Sequence, residues 1–373
     1  MNLRFPVFEP DVGEEEALAV AAAVRRGEIS GTFGESIAKF ERAFASYCGA
    51  AHGVAVTSGT AALHLAAAAL DLGPGDEVLV SASTNIATAL AIYHVGATPV
   101  PIDSEPTTWN LDLDQVEASI GPNTKAIFVV HLFGHPVDMD RVGMIARTYG
   151  LRVVEDAAEA HGATVRNRKV GSFGDLACFS FYANKHITTG EGGMVLTNDE
   201  ALAARLRLLR NLAFSQPRFR HELAGFNYRM TGYQAAMGLV QMQKLEPVIA
   251  AKRRIAGLYN ERLGSIRGLQ LPTEMPWARH VYWMYGVVVR PEFGPSRDEL
   301  AALLGERGID SRTFFCPMNI QPCFQHIDAC STRACPVAEN LWHSGLYLPS
   351  STTLAEADIT HIADEIRRAA RGA

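Results

Sequence analysis

The stretch Arg152-Val153-Val154-Glu155-Asp156-Ala157-Ala158-Glu159-Ala160-His161-Gly162 runs from a β-branched pair through two carboxylates into small residues. Arg152–Glu155 reads as a short strand. It delivers Asp156 at its carboxyl end, where ligands bind in open α/β sheets. The small Ala157-Ala158 pair lets a flat group approach closely. Small residues also fill tight packing, and an aspartate here also serves as a loop cap.

Outward from this strand, apolar runs alternate with amphipathic ones. Val54–Val56 is a strand leading into a helix over Gly59–Leu70; Glu77–Val80 is a strand and Ile86–Val95 a helix. Ala126–Val130 and Ala177–Phe181 are further strands, with a helix over Asp140–Tyr149. This alternation predicts parallel strands in an α/β sheet. Residues 14–26 open on three glutamates and close on two arginines, the order that suits a helix dipole. A long helix is expected from about Thr231 to Leu263, kinked at Pro247. The texture then changes to a strand (Val281–Val289), a helix (Arg297–Arg307), a strand (Gly308–Phe315), a loop with Pro and Cys, and a last helix. The expected organisation is a large domain with an N-terminal arm over residues 1–245 and a smaller α+β domain over residues 246–373.

With 373 residues, 48% of them hydrophobic and 20% charged, the chain suits a compact two-domain protein. No apolar run approaches the roughly 20 residues that span a bilayer. Met1-Asn2-Leu3-Arg4-Phe5-Pro6 lacks the apolar core of a signal peptide, so a cytoplasmic location and no membrane partner are expected. A net charge of −6 without a long basic run gives no reason to expect nucleic acid. The six cysteines form no disulfide framework. Cys323, His326, Cys330 and Cys335 match no standard zinc spacing, so free loop thiols and no metal are expected.

The strand Ala177–Phe181 continues into Tyr182-Ala183-Asn184-Lys185, and then Thr188-Thr189-Gly190-Glu191-Gly192-Gly193. A lysine between an aromatic strand and a glycine-rich turn can be buried against a flat ring. Burial penalises its ammonium form and makes it an amine nucleophile. Such amines form Schiff bases with aldehydes, above all pyridoxal 5'-phosphate (PLP). PLP also needs donors for its phosphate, an acid for its ring nitrogen and packing on both ring faces. Thr57-Ser58-Gly59-Thr60, between a strand and a helix N-terminus, offers the phosphate unpaired N–H groups and hydroxyls, though Ser and Thr are also common helix caps. Ser180 is a second hydroxyl candidate, and Asp156 can keep the pyridine nitrogen protonated.

Together these segments resemble the DegT/DnrJ/EryC1/StrS family of PLP-dependent sugar aminotransferases. The resemblance extends to Gly31-Thr32-Phe33-Gly34 with Phe40-Glu41, Gly73-Pro74-Gly75-Asp76-Glu77-Val78, His131-Leu132-Phe133-Gly134-His135 and Gly225-Phe226-Asn227-Tyr228-Arg229-Met230. The run from Phe179 through Asn198 looks most like that of the perosamine-forming members. The family implies the aspartate-aminotransferase (type I) fold. It further implies that Lys185 forms the internal aldimine and shuttles protons, and that Asp156 pairs with the ring nitrogen. Glu159 would stand near the ring hydroxyl, Gly59, Thr60 and Ser180 would hold the phosphate, and Asn227 would reach the phosphate of a neighbouring subunit in a homodimer.

Three positions depart from the family pattern. Asn85 stands where relatives place an aromatic ring over the cofactor, Asn319 follows Pro317-Met318 in place of histidine, and His186 follows the lysine, where it is expected on the rim with no chemical role. The implied reaction moves an amino group from L-glutamate through pyridoxamine phosphate to a nucleotide-linked keto-sugar, by analogy a 4-keto-6-deoxyhexose. Candidate substrate contacts lie in His280-Val281-Tyr282-Trp283 and Arg312-Thr313-Phe314-Phe315, with Tyr282 and Phe315 foremost, although aromatic runs at strand spacing are more often core. Arg229 and Arg312 are the candidates for binding glutamate. A PLP-dependent sugar dehydratase of the same family would carry histidine in place of Lys185. A non-catalytic protein on this fold would not need Lys185, Asp156 and Ser58-Gly59-Thr60 together. Neither a dinucleotide Gly-x-Gly-x-x-Gly nor a Gly-Lys-Ser/Thr phosphate loop is visible.

Overall fold

A computed structural model describes residues 3–217 and 219–371. Its central sheet has seven strands in the order His52–Val56, Gly193–Thr197, Leu176–Ser180, Arg152–Asp156, Thr124–Val130, Glu77–Ser81, Thr98–Ile102. Neighbours from Leu176–Ser180 to Thr98–Ile102 pair in parallel, as the alternation of apolar and amphipathic runs predicts. Gly193–Thr197 is the exception, running antiparallel to both strands beside it. No crossover helix separates it from Leu176–Ser180; the glycine-containing loop doubles back, and Phe181 N–H donates to Gly192 O at 2.8 Å. A direct return of this kind makes an antiparallel neighbour.

Helices start where short polar side chains satisfy free N–H groups. Ser58, Asn85, Asp138 and Asp199 cap Gly59–Ala69, Ile86–His94, Met139–Tyr149 and Glu200–Arg210 in turn. The alanine-rich helix Gly59–Ala69 is apolar apart from Thr60 and His64 because it lies between the sheet and its neighbours, with Ala62, Leu65, Ala66 and Ala67 fully buried.

A second, antiparallel sheet of four strands comprises Leu269–Gln270, Tyr285–Val289, Gly345–Leu348 and Arg312–Thr313. Its core includes Leu300, Leu304, Ile359, Ile362 and Ile366 of the helices Arg297–Glu306 and Glu356–Arg371. Two strands are shorter than expected. Tyr282 has φ 47°, which breaks extended backbone before Tyr285, and Gly308 has φ 73° and gives its carbonyl to Arg4 and Phe5 N–H. The helix Gly232–Leu263 runs through Pro247 and through residue 246, the expected domain boundary. Leu245 and Ile249 pack in the core under the central sheet, whereas Ile255, Tyr259 and Leu263 pack in that of the second sheet. No helix of the described residues is long and apolar enough to cross a membrane.

Between the two cores, the buried Lys252 donates to Trp283 O at 3.0 Å and Ser350 Oγ at 3.1 Å. Burial lowers its pKa to about 7 from 10.5. In that interval the unfolded chain binds the proton that the folded chain has lost, so stability should rise with pH from about 7 to 10.5. The slope from this group is at most about 1.4 kcal/mol per pH unit. Chemical denaturation of Lys252→Met across that range should show the slope reduced relative to the wild type; an equal slope would show that Lys252 is not its source.

Candidate active site

Four loops at the carboxyl ends of parallel strands meet in a cavity of ≈ 280 Å³ whose lining includes Ser58, Gly59, Thr60, Asn85, Asp156, Glu159, Ser180, Lys185 and Phe315. Nine of the residues singled out in the sequence thus share one cleft. One wall is an anion cradle. Ser58 Oγ accepts from Ala61 N–H at 3.1 Å, which aims the first turn of Gly59–Ala69 at the opening. A Cβ on Gly59 would lie 2.7 Å from Ser180 Cβ, and one on Gly193 would collide with Ser58 O. Only glycine lets these three segments approach so closely. Ser180 Oγ accepts from Tyr182 N–H at 3.3 Å, leaving its own proton to donate.

The floor carries the charges. Lys185 Nζ lies 3.9 Å from Glu159 Oε1 and 3.8 Å from the centroid of the Trp283 ring, with 11% of the lysine side chain exposed. Trp283 is held by its indole N–H, which donates to Asn184 O at 2.7 Å. Burial lowers the lysine pKa against the opposing pull of Glu159 and Asp156. Burial also raises Glu159 to about 7, although Lys185 and the Phe133 N–H, 2.9 Å from Oε2, favour its charged form. Asp156 is raised for the same reason, against bonds to Oδ2 from the Thr88 hydroxyl at 2.6 Å and to Oδ1 from Ala158 N–H at 3.1 Å. A buried amine with a weakened hold on its proton and two carboxylates with a strengthened one are suited to acid–base work.

Other sequence-predicted residues lie elsewhere. Tyr282 does not line the cleft: its positive φ turns it into the second core, where its ring stacks on His280 at 3.7 Å. Trp283, next in sequence, takes the cleft position instead. Arg312 is 66% exposed, 3.7 Å from Asp310, and Arg229 donates to Asn211 Oδ1 at 2.7 Å; neither lines the cleft. Asn227 is exposed and bridged to Asn211, outside this chain's cleft. His186 is not a rim residue. It is buried, its Nε2 lies 3.1 Å from Val281 O, and desolvation lowers its pKa to about 3. Cys330 and Cys335 are likewise buried, whereas Cys323 is exposed. Asn85 lines the cleft and also caps a helix, its Oδ1 accepting from Ala87 N–H at 3.1 Å, a task no aromatic side chain can perform. The sequence offered no motif for Tyr347 or Thr88; alternation along Gly345–Leu348, once that strand is placed, would have found the first.

Residues 10–367 match the DegT/DnrJ/EryC1/StrS aminotransferase family. The chain belongs to that family. It is 46% identical over 331 residues to a GDP-perosamine synthase of Caulobacter vibrioides, covering 88% of each chain. Among solved structures it is similar to DesV of S. venezuelae in complex with a ketimine intermediate, with TM-score 0.90, 37% identity and coverage of 95% of this chain and 94% of that one. It is also similar to the PLP form of Spr1654, a putative sugar aminotransferase from Streptococcus pneumoniae, with TM-score 0.91, 26% identity and coverage of 100% and 99%. The overall fold is thus shared with aminotransferases of known structure.

The negative charge of Glu159 favours the ammonium form of Lys185, so removing it lowers the pH at which the amine is free. Glu159→Gln should move the pH profile of Lys185 labelling by an amine-selective reagent, followed by peptide mass spectrometry, to lower pH. A profile unmoved or shifted upward would refute the coupling.

Proposed function

We propose that the chain is a PLP-dependent aminotransferase that moves an amino group from L-glutamate to a nucleotide-linked keto-sugar, a 4-keto-6-deoxyhexose of the perosamine type. One observation carries the reading: a buried lysine and a buried aspartate face the same cleft as a glycine-lined anion cradle. This donor set fits PLP. The cradle suits a phosphate dianion, Asp156 suits a protonated ring nitrogen, and Lys185 suits an aldehyde. When bound, PLP would supply that aldehyde and an electron-accepting ring, the chemistry that amino-group transfer needs.

The protein's own groups do the rest. Gly59, Thr60 and the Ser180 hydroxyl bind the phosphate, with the helix N-terminus favouring its charge. Asp156 holds a proton on the ring nitrogen. Lys185 would anchor the aldehyde group and, as a free amine, would move a proton between the substrate α-carbon and the neighbouring cofactor carbon. Glu159 would stand near the ring hydroxyl, and its charge favours the ammonium form of Lys185. Trp283 and Phe315 wall the cleft and keep water from the reacting atoms.

The active unit is a homodimer in which Asn227 of one subunit reaches the phosphate bound in the other, and its exposure in the isolated chain supports this. A cytoplasmic setting belongs to the same reading, since all six cysteines are free, the state a reducing compartment maintains.

Borohydride reduction of PLP-loaded protein followed by peptide mapping should place the label on Lys185. In an assay of L-glutamate against a panel of nucleotide keto-sugars, GDP-linked first, Lys185→Ala should lower transfer by about 10⁴-fold or more. An unlabelled Lys185, or a variant with wild-type rates, would overturn the assignment.

A further inference from the structure

Thr88 is fully buried near the start of the helix Ile86–His94 and belongs to no motif that the proposed function uses. Its Oγ1 lies 2.6 Å from Asp156 Oδ2 and 2.9 Å from Thr84 Oγ1. A hydroxyl has one proton to give, and a charged carboxylate can only accept. The Thr88 proton therefore goes to Asp156, at the separation of a charge-assisted bond. Thr88 is then the acceptor in its pair with Thr84. Thr84 Oγ1 also lies 3.1 Å from Asn85 O, so its one proton is shared between that carbonyl and Thr88. Thr88 Oγ1, by contrast, is only 2.6 Å from the carboxylate against 3.4 Å from Asn85 O. The share that Thr84 gives to Thr88 polarises the bond to Asp156.

This chain meets Asp156 where other means of holding its charge are few. Around it are the titratable groups Lys185, Glu159, Cys178 and His131, with Glu155 behind His131. Among the described residues none of these groups hydrogen-bonds its carboxylate; Thr88 supplies one bond and the Ala158 backbone the other. With Oδ2 held by Thr88 and Oδ1 by Ala158, rotation of the carboxylate about its Cβ–Cγ bond is fixed. Each oxygen keeps a further lone pair for a ligand in the cleft.

We propose that Thr88 is a positioning residue, whose hydroxyl, backed by Thr84, fixes the Asp156 carboxylate toward the cleft and keeps it charged for the ring nitrogen of PLP. This rests on the role given to Asp156 above. Thr88→Val removes the hydroxyl at nearly constant shape, Thr88→Ala removes it without added bulk, and Thr88→Ser keeps it. The dissociation constant of PLP, read from quenching of tryptophan fluorescence in apoprotein, should weaken on the order of tenfold in the valine and alanine variants. In the same variants the acid limb of the pH profile of kcat/KM should move up by about one pH unit, because the charged carboxylate has lost a donor. Thr88→Ser should stay within about twofold in affinity with an unmoved limb, and Thr84→Val should shift both quantities in the direction of Thr88→Val, by less.

A folded Thr88→Val or Thr88→Ala protein with wild-type PLP affinity and an unmoved limb would overturn the proposal. So would a loss of thermal stability in these variants without either shift, which is what a merely structural hydroxyl would produce. If the wild-type protein takes up no PLP, the proposed function itself fails and this inference with it. If the wild type binds PLP and the Thr88 variants are indifferent, only this inference falls.

Discussion

Everything in the cleft depends on a close approach of three backbone segments. Gly59 at a helix start, Ser180 at a strand end and Gly193 at the start of the return strand sit so near one another that no side chain fits at either glycine. That contact brings the N-terminal turn of Gly59–Ala69 against the loop carrying Lys185. It also accounts for the strand running against the rest of the sheet, since the chain must come straight back beside Ser180 to make it. The anion cradle and the reactive amine are two outcomes of one packing solution.

Desolvation supplies the chemistry that geometry alone would not. Lys185, Asp156 and Glu159 are displaced from their ordinary titration ranges first by burial; the attraction between the lysine and each carboxylate opposes that displacement, and the charge of Asp156 adds to it at Glu159. The balance leaves Glu159 near 7, where a small change in its surroundings alters its charge. Hydrogen bonds then decide where charge rests: Phe133 N–H on Glu159, and Thr88 and Ala158 on Asp156.

Much of this was legible in the sequence because the decisive residues follow strands that are recognisable as strands. Asp156 ends its strand, Ser180 ends the strand paired beside it, Ser58 follows the first strand, and Lys185 lies five residues past Ser180. What sequence could not show depends on partners distant along the chain. Tyr282 and Trp283 are adjacent aromatics, and a positive φ at the first decides which of them lines the cleft. His186 is taken into the interior by a contact with Val281, and Arg312 is left in solvent because its strand is only two residues long. Thr88 touches Asp156 from 68 positions away. Asn85 looked like a missing ring and proved to be a helix cap, a local interaction that is visible once the helix start is fixed.

The helix Gly232–Leu263 has a consequence for anyone who would recombine this scaffold. Its first half is embedded in one apolar interior and its second half in another, with Leu245, Ile249 and Ile255 all inaccessible to solvent. Severing the chain near its middle would leave either piece with a raw greasy stump and a broken ladder of amide bonds. A chimaera that swaps the C-terminal portion for another must therefore join at a helix end, beside Thr231 or Gly264, and inherit the whole rod from one parent.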